Sequence, residues 1–259
     1  MDSTLIKGLA VLEWVATQTQ DVRVTDVAQQ FGLAPSNAHR TLRTLVECGW
    51  VVQNPSTNGY RPSLKLFQLG ASLYETVDLK TALHPVLQVL AAQTGETIHL
   101  AVLMETDILY LDKFDSSLPV AAYSRIGGRA PAYCVASGKA LLASLELSEA
   151  QLKARLHKLE AHTPHTLTDW KKLHKVLDKA REQGWAQNKE EWRLGVCGLG
   201  APVFNARGEA VAAVGMSVPS IRFNRAQAKE LIHQVCCCAE QASNVLGYRP
   251  PTSTIRRQP

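Results

Sequence analysis

The side chains between Pro35 and Val46 are the first in this 259-residue chain whose types and spacing could do chemistry. Ser36, Asn37, His39, Arg40, Arg43 and Thr44 fall in a stretch that holds two arginines and no acid. In helical spacing Ser36, Asn37, Arg40, Arg43 and Thr44 share one face, while Ala38, Leu42, Leu45 and Val46 share the other. The chemistry of the polar face is that of a reader of base edges. Asn can pair with adenine and Arg with guanine in the major groove, while Ser, Thr and a second Arg can hold phosphates. An ordinary amphipathic surface helix would show the same alternation, so the pattern needs support from its surroundings.

Two further groups mimic parts of enzyme sites. Ser137-Gly-Lys139 and Cys134 both resemble pieces of a hydrolase centre, and a small-molecule-converting enzyme using Cys134 or Ser137 is the alternative reading. Neither is complete. Lys139 lies two residues from Ser137 and so on another face of any helix, and Gly-Lys is followed by Ala140, with Tyr133 where a phosphate loop needs glycine. A catalytic role is therefore not expected.

Metal ligation is not expected either. His157, His162 and His165 lie close together around Pro164 in what reads as a loop, and Cys236, Cys237 and Cys238 are consecutive in a helix, so their thiols diverge. Cys134 and Cys197 have no Cys-x-x-Cys partner, and the six cysteines are read as reduced thiols. No metal and no cofactor is predicted.

The elements that must position the polar face are legible around it. Thr25 is placed to cap a helix ending at Gly32, whose freedom at positive φ suits a helix stop, and Pro35 suits the first position of the next helix, which runs to about Cys48. A preceding helix over Thr4 to Thr17 carries Leu5, Leu9, Leu12 and Ala16 at helical spacing. After Gly49, two β-rich runs flank an Asn58-Gly59 turn signal, giving a hairpin whose second strand carries Arg61. Three helices and a hairpin make a winged helix-turn-helix, with Arg61 on the wing beside the backbone or minor groove.

Bulk properties limit the rest. The length calls for a second, larger domain. A hydrophobic content of 46% and charged content of 20% are those of a soluble globular chain, and no apolar run approaches a membrane span or signal peptide, so a cytoplasmic location and no membrane partner are expected. The net charge is +5, yet residues 1–70 hold six basic against five acidic side chains. A DNA-binding unit so nearly neutral should bind as a homodimer on two half-sites, which doubles its phosphate contacts.

Beyond the wing, a helix from Leu64 to about Leu79 with Leu66, Phe67, Leu69 and Leu73 has more apolar surface than a linker needs and is expected to pack on another subunit. The remainder reads as a helix over His84–Thr94, strands over Thr97–Met104 and Ile108–Phe114, and a third strand around Pro119–Arg125. Helices over Ser137–Leu145, Ser148–Lys158 and Thr168–Gln183 follow, then strands over Trp185–Asn188, Val196–Phe204 and Glu209–Val218 and a long helix over Phe223–Leu246. This is an α+β order, an antiparallel sheet covered by helices. The expected division is 1–63 winged helix-turn-helix, 64–80 linker helix, 81–248 ligand domain and 249–259 basic, disordered tail.

The layout resembles the isocitrate lyase regulator (IclR) family of bacterial transcription factors from about Thr4 to Gly247. The marks are Thr25 to Val51, Gly59-Tyr60-Arg61, His99-Leu100-Ala101, Ser137 to Ala143, Lys189-Glu190-Glu191 followed by Gly195-Val196, and Ala201-Pro202-Val203. The resemblance implies operator DNA as partner, dimers or dimers of dimers, and genes for degrading small organic acids. It also implies an effector pocket lined here by Ala136, Ser137, Asn188, Val196, Gly198, Gly215 and Ser217.

Three of these depart from regulators of very small keto acids, which carry Asp, Cys and Ser where this chain has Asn188, Gly198 and Gly215. Each departure removes volume, charge or a donor, so a larger ligand is expected. The Tyr133-Cys134 pair resembles regulators of sugar and sugar-acid catabolism, and the expected effector is a sugar acid or aromatic carboxylate. It would be held by backbone N–H groups opening the Ser137 helix, with Arg125 or Arg129 adding charge. Repression and activation both stay open.

Overall fold

A computed structural model describes residues 3–69, 79–120 and 124–249. The chain divides into two compact units, Met1–Asp78 and Leu79–Pro259.

The first unit contains α1 (Ser3–Thr17), α2 (Val24–Phe31), α3 (Pro35–Glu47), β1 (Val51–Gln53) and β2 (Tyr60–Pro62). Helix α2 starts before Thr25, so Thr25 is not its cap. The Asp26 carboxylate instead reaches back to accept from the Arg23 N–H at 2.7 Å, where an acid also suits the positive end of the helix dipole. Gly32, at φ 60° and ψ 35°, ends α2 in the left-handed region, which a side chain other than Gly rarely adopts. Pro35 then occupies the first turn of α3.

The core of this unit gathers Val11, Leu12 and Val15 of α1 with Val27, Ala38, Leu42, Val51 and Tyr60. The expected α1 stripe is displaced, since Leu5 and Leu9 are exposed and only Leu12 of the four faces inward. Apolar residues lie almost all round α1, so its periodicity does not select the face that packs. Strands β1 and β2 pair antiparallel, Val52 opposite Arg61, and a short bridge from Val22 to Tyr60 adds a third edge. Asp21 ties down the loop between the strands by accepting from Asn54 Nδ2 at 2.8 Å and Thr57 Oγ1 at 3.2 Å. Residues 64–69 are helical. Residues 70–78 of the predicted linker helix lie outside the described residues, as does the tail after Arg249, while residues 79–80 belong to the next helix.

The second unit is a six-stranded sheet of β3 (Thr97–Met104), β4 (Asp107–Phe114), β5 (Arg129–Pro131), β6 (Ala186–Lys189), β7 (Val196–Phe204) and β8 (Ala210–Pro219). Its order is β5-β4-β3-β8-β7-β6, every neighbouring pair antiparallel. On one face lie α4 (Leu79–Thr94) and α8 (Arg225–Val245), and on the other α5 (Ala136–Ser144), α6 (Glu149–Leu156) and α7 (Trp170–Gln183).

Alternation along the strands builds both layers. Val214, Met216 and Val218 point to the α4/α8 core, which leaves Ala213, Gly215 and Ser217 for the α5 face. Helix α4 includes Leu79, five residues before the expected start, and carries Pro85 inside, where the missing N–H removes one bond of the helical ladder. The strand expected around Pro119–Arg125 is not formed at Pro119, Val120, Ser124 or Arg125, and residues 121–123 lie outside the described residues. The edge strand is Arg129–Pro131, paired with Asp107–Leu109. Among the described residues no helix is long and apolar enough to cross a membrane.

Candidate functional site

In the first unit the buried Ala38, Leu42 and Leu45 fix the orientation of α3. Ser36, Asn37, His39, Arg40, Arg43 and Thr44 are thereby all exposed, as is Arg61 on β2. The face is partly ordered by its own contacts. Arg40 Nη2 donates to Asn37 Oδ1 at 3.3 Å, so the two candidate base readers stand side by side. The Thr44 hydroxyl donates to the Arg40 carbonyl at 3.0 Å. Arg43 pairs with Glu47 one turn on at 3.0 Å, with both side chains mostly in solvent, and such exposed pairs are worth about 0–1 kcal/mol and break readily. Thr25 is exposed on α2 beside Asp26.

In the second unit a cavity of about 340 Å³ opens between the sheet and the start of α5. Strand register assembles its floor, with Thr97 opposite Ser217 and His99 opposite Gly215 on one side of β8. On the other side Gly198 lies opposite Ser217 and Gly200 opposite Gly215, and Asn188 pairs with Gly198. Six of the seven residues implied by resemblance, Ala136, Ser137, Asn188, Val196, Gly198 and Ser217, line this space. Gly215 does not line it and lies under Ser137, where a Cβ would come within 3.3 Å of the Ser137 Cβ.

Close approach explains why α5 meets the sheet at glycines. A Cβ on Gly200 would stand 2.5 Å from the Ser137 nitrogen and 2.7 Å from the Ala136 carbonyl carbon, well inside contact distance. The first turn of α5 therefore sits directly on β7. Val135, its N-cap, makes no side-chain cap hydrogen bond, although Ala136 and Ser137 are both buried. Leading N–H groups without a side-chain cap, beside a cavity, form an anion-accepting end. Three arginines stand at the lining, Arg125, Arg129 and Arg193. Arg129 is paired with Asp107 at 3.3 Å.

Among the lining residues that sequence reasoning missed are His99, Tyr110, Trp192 and Arg193. His99 is 3% exposed, its Nε2 lies 2.9 Å from Ser217 Oγ, and among the described residues its Nδ1 has no hydrogen-bond partner. Burial, helped by the charge of Lys113, pulls its pKa down to about 4, so the ring is neutral near pH 7. The Tyr110 ring meets it edge-on at 4.9 Å, and burial pushes that phenol up to about 12. Strand parity was the available signal, because His99 interrupts an apolar run two residues before Ala101, on the side of the strand that faces α5.

Trp192 and Arg193 come from the loop after β6, which is anchored from several sides. Thr163 Oγ1 donates to the Glu190 carbonyl at 2.7 Å and Thr166 Oγ1 to the Glu191 carbonyl at 2.6 Å, while His162 meets the Trp192 ring edge-on at 4.6 Å. His162 also lies 3.2 Å from the Tyr133 hydroxyl. The histidine loop thus braces a wall of the cavity, and among the described residues no three metal-ligating side chains come together.

Of the residues that resembled hydrolase parts, Lys139 and Cys134 are buried, and neither lines this cavity. Lys139 is fully buried and donates to Glu191 Oε2 at 2.5 Å and to the Gln187 carbonyl at 3.2 Å. Burial pulls its ammonium below the ordinary range while Glu191 works against that shift. It ties α5 to the loop carrying Trp192. Cys134 is buried and burial pushes its thiol up to about 12, which leaves no nucleophilic thiolate.

Two family models match the chain. One, described as the IclR helix-turn-helix domain, covers residues 4–55, and one described as bacterial transcriptional regulator IclR C-terminal covers residues 71–244. The chain is 32% identical to the HTH-type transcriptional regulator KdgR of Escherichia coli over 246 residues, covering 95% of this chain and 93% of that one. It is 33% identical to XynR of the same organism over 93% of this chain and 96% of that protein. The crystal structure of Thermotoga maritima IclR superposes with a TM-score of 0.76 at 30% identity, covering 96% of this chain and all of that one. An IclR homologue from Microbacterium hydrocarbonoxydans, solved in complex with 4-hydroxybenzoate, has a TM-score of 0.78 at 21% identity over 93% of this chain and 99% of that chain, and so shares the fold.

Proposed function

Since the chain belongs to the IclR family of transcriptional regulators, we propose that it is an operator-binding sensor of a small carboxylate rather than an enzyme. The observation that carries this reading is the uncapped start of α5 beside a cavity whose charged lining residues are arginines. A carboxylate placed there would accept from backbone N–H groups and gain from the helix dipole, and it would offer a counter-charge to Arg125 and Arg193, since Arg129 already has Asp107. Ala136, Ser137, Asn188, Val196, Gly198 and Ser217 would contact it, with Gly215 giving room beneath Ser137. The effector class expected from the resemblance, a sugar acid or aromatic carboxylate, fits a space of about 340 Å³.

DNA recognition is assigned to Asn37, Arg40 and Arg43, supported by Ser36, His39, Thr44, Thr25 and Arg61. The active species is read as a homodimer, able to pair further into a dimer of dimers. In the first unit Ile6 and Leu9 on α1 are half-exposed and Leu64 and Phe67 are 79% and 74% exposed, an apolar load that favours a partner subunit. Effector binding would then shift the spacing of two winged helices against two half-sites.

A thermal-shift panel of sugar acids, aromatic acids and their neutral amides tests the sensor. Acids should raise the melting temperature with concentration, because a ligand that binds only the native state stabilises it by mass action. Stabilisation by the amides alone would overturn the carboxylate reading.

A further inference from the structure

We infer that His99 and Ser217 are specificity-determining residues that recognise a hydroxyl group of the effector at a point remote from its carboxylate; this rests on the carboxylate-sensor reading above. The two side chains meet across neighbouring strands at 2.9 Å and both line the cavity floor. His99 is almost wholly buried, and among the described residues its Nδ1 has no hydrogen-bond partner. A buried ring nitrogen left unpaired is costly, and native proteins keep such groups mainly where something completes them.

The chemistry of the pair selects the group it reads. Neutral imidazole has one donor and one acceptor nitrogen, and the Ser217 hydroxyl donates and accepts as well. Such a pair matches a group that also does both, and a hydroxyl is the simplest. A carboxylate only accepts, and to be neutralised here it would need a protonated His99, which burial opposes. The anionic end is therefore directed to the start of α5 and the arginines.

Among the described residues no carboxylate side chain lines the cavity floor to compete for the hydroxyl. The titratable groups around His99 are Tyr110 beside it, Lys113 near the end of β4 and Asp115 just beyond it, the opposite charges of the last two partly offsetting one another. The proposed effector is thus a hydroxy acid, its two functions separated by the span from α5 to the β3–β8 floor.

Calorimetry on the full chain with matched pairs tests this: 4-hydroxybenzoate against benzoate, and gluconate against hexanoate. In at least one pair the hydroxylated acid should bind about tenfold or more tightly, because a site built to hydrogen-bond a hydroxyl strongly rejects the analogue lacking it. That preference should collapse toward unity in Ser217→Ala and His99→Phe, each checked for a cooperative melting transition; a merely structural role would lower both affinities and keep their ratio. Equal affinities within both pairs, or a preference untouched by both variants, would overturn the assignment and leave the carboxylate sensor standing. Binding by none of the four acids, with neutral amides binding, would remove the sensor reading and this inference with it.

Discussion

Two residues show how a side chain's surroundings decide its role. His99, in an apolar strand, is kept neutral by burial, and its pKa of about 4 lies below the unfolded value of 6.5. Above pH 6.5 it contributes nothing to pH dependence. As pH falls from 6.5 toward 4 the unfolded chain takes up a proton that the native state refuses, so stability is lost across that window. Between pH 7 and 5 the loss should be about 2 kcal/mol, and urea denaturation of the wild type and His99→Asn at both pH values measures it. The same pH sensitivity in both proteins would show that His99 is not the group responsible. Arg40 and Arg43 are the opposite case, exposed and held only by weak local contacts. Replacing either with Ala should weaken operator binding by about 1–3 kcal/mol if it makes a bidentate base contact. A double variant that keeps full sequence-specific binding in a gel shift would refute the recognition-helix assignment.

At the scale of elements, the placement of α5 governs the second unit. Gly200 lets its first turn sit on β7, and Lys139 binds it to the loop supplying Trp192 and Arg193 through a buried pair with Glu191. Lys139→Met would strand a carboxylate beside the core and should cost about 3–5 kcal/mol in chemical denaturation, whereas Lys139→Met with Glu191→Leu should recover most of that loss. A double variant no more stable than the single one would show that the pair is not what ties α5 down. The sequence made such elements visible where one local rule dominated. Gly32 and Pro35 marked the helix-turn-helix because few residues suit those backbone positions, and β3, β7 and β8 stood out as long runs of apolar and small residues. Rules that compete were harder to read. Thr25 was not the cap because the helix already starts at Val24, where the Asp26 carboxylate accepts from the Arg23 N–H, and α1 was apolar on too many sides to reveal its packed face. Ala136, Ser137, Asn188, Val196, Gly198 and Ser217 were readable as lining residues only through resemblance. His99, Tyr110, Trp192 and Arg193 come together through strand register and a loop braced by Thr163 and Thr166, contacts far apart in the chain.

For the whole molecule the deciding quantity is charge. Residues 1–70 carry a net charge of only +1, so one copy of the first unit gains little from sequence-independent attraction to phosphate. On the proposed reading, affinity comes from specific contacts made twice. If two copies act together, selection from random duplexes should return a two-fold symmetric sequence with half-site centres about 10 base pairs, or a multiple of that, apart. The dependence on salt should double with it. Each copy releases its own set of counterions, so the slope of log affinity against log salt on the full site should be about twice that on a duplex with one half-site destroyed. Fluorescence anisotropy at several salt concentrations measures both slopes on the same protein. An asymmetric selected site, or equal slopes on the two duplexes, would mean that one copy suffices, and the exposed Ile6, Leu9, Leu64 and Phe67 would then need a partner other than a second copy of this chain.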